Sequence, residues 1–400
     1  MKLSIVLSVL SLALAQCSRP RVRKEIRDLT DKELKDFQDA VNKLHQEKKP
    51  GMKGMSSFEY FAYLHETNAG RSHSTASFLP WHRHYIRKFE MELQRFNPEV
   101  MLPYWDWSID ANEPHRSPVL SSKYMGGNGA AFNRCVRDGP FANWQMNYPT
   151  RHCLKRDYDL ITRLSSFSSP ESILLDINER RFSDFSMQFE IKHGRPHNAI
   201  GGRMGDFAPM HSPNEPLFFL HHAFVDLVWD KWQQRNAGAP YEGKRFVSRP
   251  DVNDKLAGFS NVTVASTLST KGNFYCYSYP QYPRLIVNSK VPSRVRTVAT
   301  SAASTSPFLA EDFQASDLDS LITRLSRSAK LSLASAEALT RFPKLRQPGN
   351  LTKDFIAMNR FNPKEVERVQ LKEKILTDRL NGLSGFRSIS SLQAVLNEFM

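Results

Sequence analysis

Of the 12 histidines in this 400-residue chain, six stand at spacings that can do chemistry. His65, His73 and His82 follow one another at intervals of eight and nine residues. His193 and His197 are four apart, and His222 comes 25 residues after His197. On a helix, a four-residue interval puts two imidazoles on one face, one turn above the other. His222 lies beyond a Gly- and Pro-rich stretch in a second helical pattern, so a helix–loop–helix pair aims three rings at one ion. The first three histidines are likewise distributed over helix, loop and helix. Two sets of three neutral imidazoles, with almost no cysteine or carboxylate nearby, suit a pair of copper ions, because imidazole serves copper in either oxidation state. Three ligands per ion leave positions open for oxygen, which a closed structural zinc site lacks. An isolated HxxxH arises by chance, but six such histidines embedded in aromatic helices do not read that way. His45, His84, His115, His152 and His211 read as surface or packing residues. His221 adjoins His222, and consecutive helical residues cannot both face one ion, so one of the two supports the other.

The elements that must position these rings are legible as periodicity. Residues 28–48 carry Leu29, Leu34, Phe37, Val41 and Leu44 at helical spacing, with Thr30 as a cap. Helices are also predicted at 57–66, at 79–96 with Pro80 in its first turn, at 170–180 and at 216–235. LPYWDW (102–107) reads as an aromatic wall and 108–155 as a long loop excursion, while 262–288 has β-like runs. Residues 291–309 are rich in Ser, Thr, Ala and Pro and read as a linker. The tail, 310–400, is helical in pattern and contains no histidine or cysteine, so it supplies packing, regulation or attachment rather than chemistry.

Composition narrows the class. Hydrophobic residues make up 40% of the chain, with 26 Phe, 12 Tyr and 6 Trp, which indicates a packed globular protein. The net charge of +14 is scattered among acidic residues and no nucleic-acid-binding motif appears, so it reads as a solvated surface and no nucleic acid is expected. Lys2 precedes an apolar run from Leu3 that ends in Ala13-Leu14-Ala15, the pattern of a secretory signal peptide over 1–15. That run is too short to span a bilayer, and no membrane association is expected. A secreted, extracellular protein follows, with Asn261-Val262-Thr263 and Asn350-Leu351-Thr352 as glycosylation acceptors. In an oxidising compartment the four cysteines make two disulfides. Three connectivities are open, and Cys135 with Cys153, flanking one loop-like segment, is the pairing expected here; it leaves Cys17 with Cys276.

Four segments carry a family resemblance: PWHRHYIRKFE (80–90), LPYWDW (102–107), HGRPHNAIGG (193–202) with Met204, and SPNEPLFFLHHAFVD (212–226). In this order they resemble the common central domain of the tyrosinases, type-3 copper proteins that include catechol oxidases and molluscan haemocyanins. The likeness runs over roughly residues 20–288, a catalytic domain of 16–290, and Tyr275, Tyr277 and Tyr279 resemble the Y-x-Y run that closes the core of fungal members. It implies a mainly α fold, a four-helix bundle around a dinuclear copper site with long loops and a few short strands. It implies that His65, His73 and His82 hold one copper and His193, His197 and His222 the other, with His221 outside. The implied reaction is the O2-dependent oxidation of o-diphenols to o-quinones, with hydroxylation of monophenols in true tyrosinases and melanin formation as a role. Phenols and O2 are the implied partners.

The chain departs from the pattern in places. Ser72 precedes His73 and no cysteine is near, so the thioether of many fungal members is not expected. Gly194 stands where strong monophenolases carry Asn, and Asn198 is a partial substitute. Glu190 resembles the acidic residue that holds a water for phenol deprotonation, a sensible proton acceptor. Phe224, two residues beyond His222, is expected over the substrate approach, and Asp226 is expected to orient a ligand ring or pair with an arginine. The leading reading is a secreted phenol oxidase. A haemocyanin-like oxygen carrier is disfavoured by the single unit, and a zinc-containing relative is the third option. In fungal relatives a C-terminal extension such as 310–400 blocks the site until cleaved, and Arg294 and Arg296 offer protease sites in the linker.

Overall fold

The computed structural model describes residues 17, 20–242, 250–272, 274–282, 344–382 and 388. The expected signal segment (1–15) and linker (291–309) lie outside the described residues. The chain forms β1 (Arg21–Val22), α1 (Asp31–Gln46), α2 (Glu59–Ser72), α3 (Phe78–Phe96), β2 (Gln145–Met146), β3 (His152–Cys153), α4 (Pro170–Ile177), α5 (Phe182–Gly201), α6 (Leu217–Arg235), β4 (Tyr277–Ser278), α7 (Lys353–Met358) and α8 (Pro363–Gly382). Helix α1 starts where Thr30 and Glu33 cap each other reciprocally, and it buries Leu34, Phe37, Val41 and Leu44 along one stripe. Helix α3 takes Pro80 in its first turn, where a missing N–H costs nothing.

Helices α2, α3, α5 and α6 make the bundle. Phe89 of α3 stacks on Phe219 of α6 at 3.4 Å between ring centroids, within a core that also buries Phe58, Phe61, Tyr85 and Trp229. A buried charged hub ties the ends of the body together. Asp226 of α6 accepts from Arg83 of α3 (2.5 Å), from Arg23 beside β1 (3.3 Å), and from the hydroxyls of Tyr277 (2.5 Å) and Tyr279 (2.8 Å). Asp226 therefore pairs with arginines rather than orienting a ligand ring. Such a hub repays its desolvation only because every charge has close partners.

Strands are scarce. β1 pairs in parallel with β4, and β2 antiparallel with β3. Of the β-like stretch 262–288, the described part holds only Tyr277–Ser278 as strand. Pro280 supplies no ladder donor, and Tyr277 and Tyr279 spend their hydroxyls on Asp226. Both expected disulfides are present, Cys17–Cys276 and Cys135–Cys153. With all four cysteines so engaged, His73 carries no thioether.

The segment 344–382 lies along α5. Leu351, Phe355, Phe361, Val366 and Val369 bury themselves against Ile191 in a cluster separate from the main core. Among the described residues, the main core contains nothing beyond Tyr282, so the body's core is complete without this segment.

Candidate metal centre

Helix α2 presents His65, its C-terminal cap is His73, and α3 presents His82. All three are at least nine-tenths buried. His65 donates from Nδ1 to the Met210 carbonyl (2.6 Å) and His82 from Nδ1 to the Phe78 carbonyl (2.8 Å). Those bonds assign the tautomer and leave each Nε2 as a bare lone pair facing inward. The Nε2 of His65 lies 3.0 Å from that of His73 and 3.3 Å from that of His82.

The second set is built the same way. His193 donates from Nδ1 to the Glu190 carbonyl, and His197 to the Phe207 carbonyl (2.6 Å). Among the described residues His222, fully buried, has no hydrogen-bond partner for either ring nitrogen, and neither has His221. One nitrogen from each of His193, His197, His221 and His222 falls within 4.8 Å of the others, as do those of His65, His73 and His82. His82 and His222 stack at 4.3 Å, so the two sets abut. Burial depresses every one of these imidazoles, with His65, His73 and His193 lowered to about 3, and neighbouring rings lower most of them further. The facing Nε2 lone pairs of His65 and His82, 3.3 Å apart with both ring protons spent on carbonyls, repel one another. A cation between them removes that repulsion, and imidazole is a donor that copper accepts. The residues fit the group.

Supporting residues lie around the rings. Ser74 adopts a left-handed conformation (φ 53) directly after His73. Glu190 holds that turn by accepting the Ser74 N–H (2.8 Å), and its Oε1 is 3.5 Å from His73 Nδ1. Burial raises the Glu190 carboxyl to about 8, with the Ser74 bond opposing. Helix α5 ends at Gly202 (φ 50), where a Cβ would lie 2.0 Å from the Asp157 carbonyl oxygen, so only glycine turns the chain there. Phe218 stacks on His222 at 4.2 Å, and Phe78 lies 4.7 Å from His193.

Phe224 is not brought to the site. It packs on Trp107 (5.0 Å), Tyr282 (5.7 Å) and Tyr104 (6.4 Å), because two helical steps turn a side chain about 200° away from His222. The aromatic ring that does cover the site is Phe355, 6.4 Å from the His197 ring at 28°. A Cβ on Gly194 would lie 2.8 Å from Phe355 Cε1. Asn198 faces the same segment, its Oδ1 accepting from the Thr352 backbone N–H (3.2 Å) and hydroxyl (2.8 Å). Sequence reasoning missed Phe355; the apolar spacing of Leu351, Phe355 and Phe361 marks a buried face but not what it covers. His84, read as bland, is buried against Tyr275, and His45 stacks on Trp144 at 3.9 Å.

Residues 55–235 match the family model described as the common central domain of tyrosinase. Tyrosinase ustQ of Aspergillus flavus is 34% identical over 292 residues, covering 66% of this chain and 80% of that protein. Tyrosinase-like protein phomQ1 of Diaporthe leptostromiformis is 33% identical over 308 residues, covering 66% and 78%. The tyrosinase of Streptomyces glaucescens is 32% identical over 282 residues, covering 63% and 97%. Among solved structures, a variant polyphenol oxidase from Thermothelomyces thermophila superposes with a TM-score of 0.54 at 22% identity, covering 66% of this chain and 89% of that one.

Proposed function

The chain belongs to the tyrosinase family, whose cofactor is a type-3 dicopper centre, and from that premise we propose a secreted phenol oxidase that converts o-diphenols to o-quinones with O2. The observation that carries the reading is the convergence of bare imidazole nitrogens in two abutting sets, each ring pinned from behind or left without a protein partner. In it His65, His73 and His82 hold one copper, and His193, His197 and His222 the other. The pair supplies oxygen binding and electron transfer. Each diphenol gives up two electrons and two protons and one O2 accepts four of each, so two diphenols are consumed per O2 and two waters form.

The protein's own residues do the rest. Backbone carbonyls fix the ring orientations, as outer partners of metal-binding histidines generally do. Phe78 and Phe218 keep the cluster dry. Glu190 acts on the site through His73 and its turn, and Asn198 offers an amide at the mouth. Gly194 contributes no side chain to hold a water against a phenol, so diphenol oxidation exceeds monophenol hydroxylation. In the uncut chain Phe355 occupies the space above Gly194, and the extension keeps the enzyme latent until the linker is cleaved. Exposed Asn261 and Asn350 are the glycan acceptors of the secreted form.

The test is quinone formation from catechols by copper-loaded protein before and after proteolysis in the linker. Oxidation that appears or rises on cleavage is expected. A fully copper-loaded, cleaved protein that turns over no diphenol ends the phenol-oxidase reading, and equal activity before and after cleavage ends the latency.

A further inference from the structure

The contacts that α5 and the turn after His73 make to the segment 349–359 reach backbone as much as side chain. Arg195 Nε donates to the Gly349 carbonyl (2.8 Å). Asn198 Oδ1 accepts the Thr352 N–H (3.2 Å). Ser74 Oγ donates to the Asn359 carbonyl (2.8 Å). Between these grips the Phe355 ring, 5% exposed, lies over Gly194 and beside His197. The body thus holds one aromatic side chain at the mouth of the site and hydrogen-bonds the main chain on both sides of it.

We infer that the opened site acts on phenolic side chains carried in a polypeptide, a tyrosyl or dopa residue taking the place of Phe355, in preference to free phenols; this rests on the phenol-oxidase reading above. When the extension leaves, the Arg195 guanidinium loses both the Gly349 carbonyl and the Glu373 carboxylate (2.5 Å) and keeps Ser168, while Asn198 and Ser74 lose their partners in the segment. Polar groups stripped of partners are costly, and a substrate that restores the bonds recovers that cost. A free catechol reaches none of these groups while its ring sits where Phe355 sat. A peptide reaches all three, and because each has a backbone partner in the segment, beside the Thr352 hydroxyl on Asn198 and the Glu373 carboxylate on Arg195, the recognition tolerates varied flanking sequence.

The experiment uses linker-cleaved protein freed of its extension, whose core and disulfides are complete without it. Copper-loaded protein is given dopa amide, a blocked peptide of residues 349–361 with dopa at position 355, and a third peptide with those flanking residues scrambled. Both peptides are expected to exceed dopa amide in kcat/KM by about tenfold or more, the gain lying in KM, as two or three recovered hydrogen bonds imply. Arg195→Gln is expected to lower the peptide-to-amide ratio. As a second readout, calorimetry on metal-free protein measures binding of the same peptides with Phe retained, which needs no oxidation. Dopa amide matching both peptides overturns the inference. So does binding confined to the native flanks, which makes the surface a cradle for the extension alone. Peptide binding without oxidation of any diphenol would instead remove the phenol-oxidase reading and leave the groove standing.

Discussion

At the scale of single residues, His221 and His222 pose the sharpest question, because both are fully buried and neither ring has a hydrogen-bond partner among the described residues. Their surroundings separate them. His222 faces the first set, stacked 4.3 Å from His82, and lies 5.4 Å from His193 and 5.7 Å from His197. His221 is as close to the second set, 5.4 Å from His193 and 4.7 Å from His197, but it has Trp107 at 6.0 Å and Phe207 at 5.7 Å on its other side. Of the two, His222 is the one stacked on a ring of the first set, which favours it as the ligand beside a neighbouring ion. Metal analysis of purified variants checks this: His222→Asn should halve the copper per chain, whereas His221→Asn should keep both ions. The reverse pattern would transfer the ligand role to His221. The six spacings were legible in sequence because a helix converts an interval into a direction. The role of Glu190 was not, since its partners Ser74 and His73 are more than a hundred residues away and no local pattern encodes that approach.

At the scale of elements, α5 serves two neighbours. One face carries His193 and His197, and the next carries Gly194, Asn198 and Ile191 against the segment 344–382. Gly194 is the point where the two uses compete. An added Cβ would sit 2.8 Å from Phe355 Cε1 and 3.5 Å from Leu351 Cδ2, and Phe355 is held from several sides. Overpacking of this kind costs ~1–3 kcal/mol, enough to shift the docked-to-free ratio of the extension by about fivefold to a hundredfold. Gly194→Ala in the uncut chain should therefore speed protease cleavage of the extension and raise diphenol oxidation before any cut. Unchanged cleavage kinetics would mean that Phe355 does not need the space that glycine leaves. The helices themselves were readable from apolar periodicity and from caps such as Thr30 with Glu33. What covered α5 was not, because an amphipathic stripe in the tail declares that it is buried without naming its partner. The same limit misplaced Phe224, whose position in the chain is near His222 but whose helical angle is not.

At the scale of the whole molecule, the bundle is closed by joining its two chain ends. Cys17 bonds Cys276 across 259 residues, β1 pairs with β4 beside it, and the Asp226 hub gathers Arg23, Arg83, Tyr277 and Tyr279 just inside. Cys135–Cys153 closes only 18 residues within the loop excursion. Loop-closure entropy scales with the logarithm of loop length, so the long crosslink restrains the unfolded chain by about 5 kcal/mol and the short one by about 3 kcal/mol. Replacing both Cys17 and Cys276 by serine should thus lower the denaturant midpoint more than replacing both Cys135 and Cys153. Tryptophan fluorescence under denaturant reads this directly, since Trp81, Trp105, Trp107 and Trp229 are all buried in the body. The four helices that carry the imidazoles are packed through Phe89, Phe219 and their neighbours rather than through either crosslink. Copper should therefore stay bound in both cysteine variants up to the onset of unfolding. Loss of copper below that onset would mean that the crosslinks, and not the bundle core, hold the two histidine sets together.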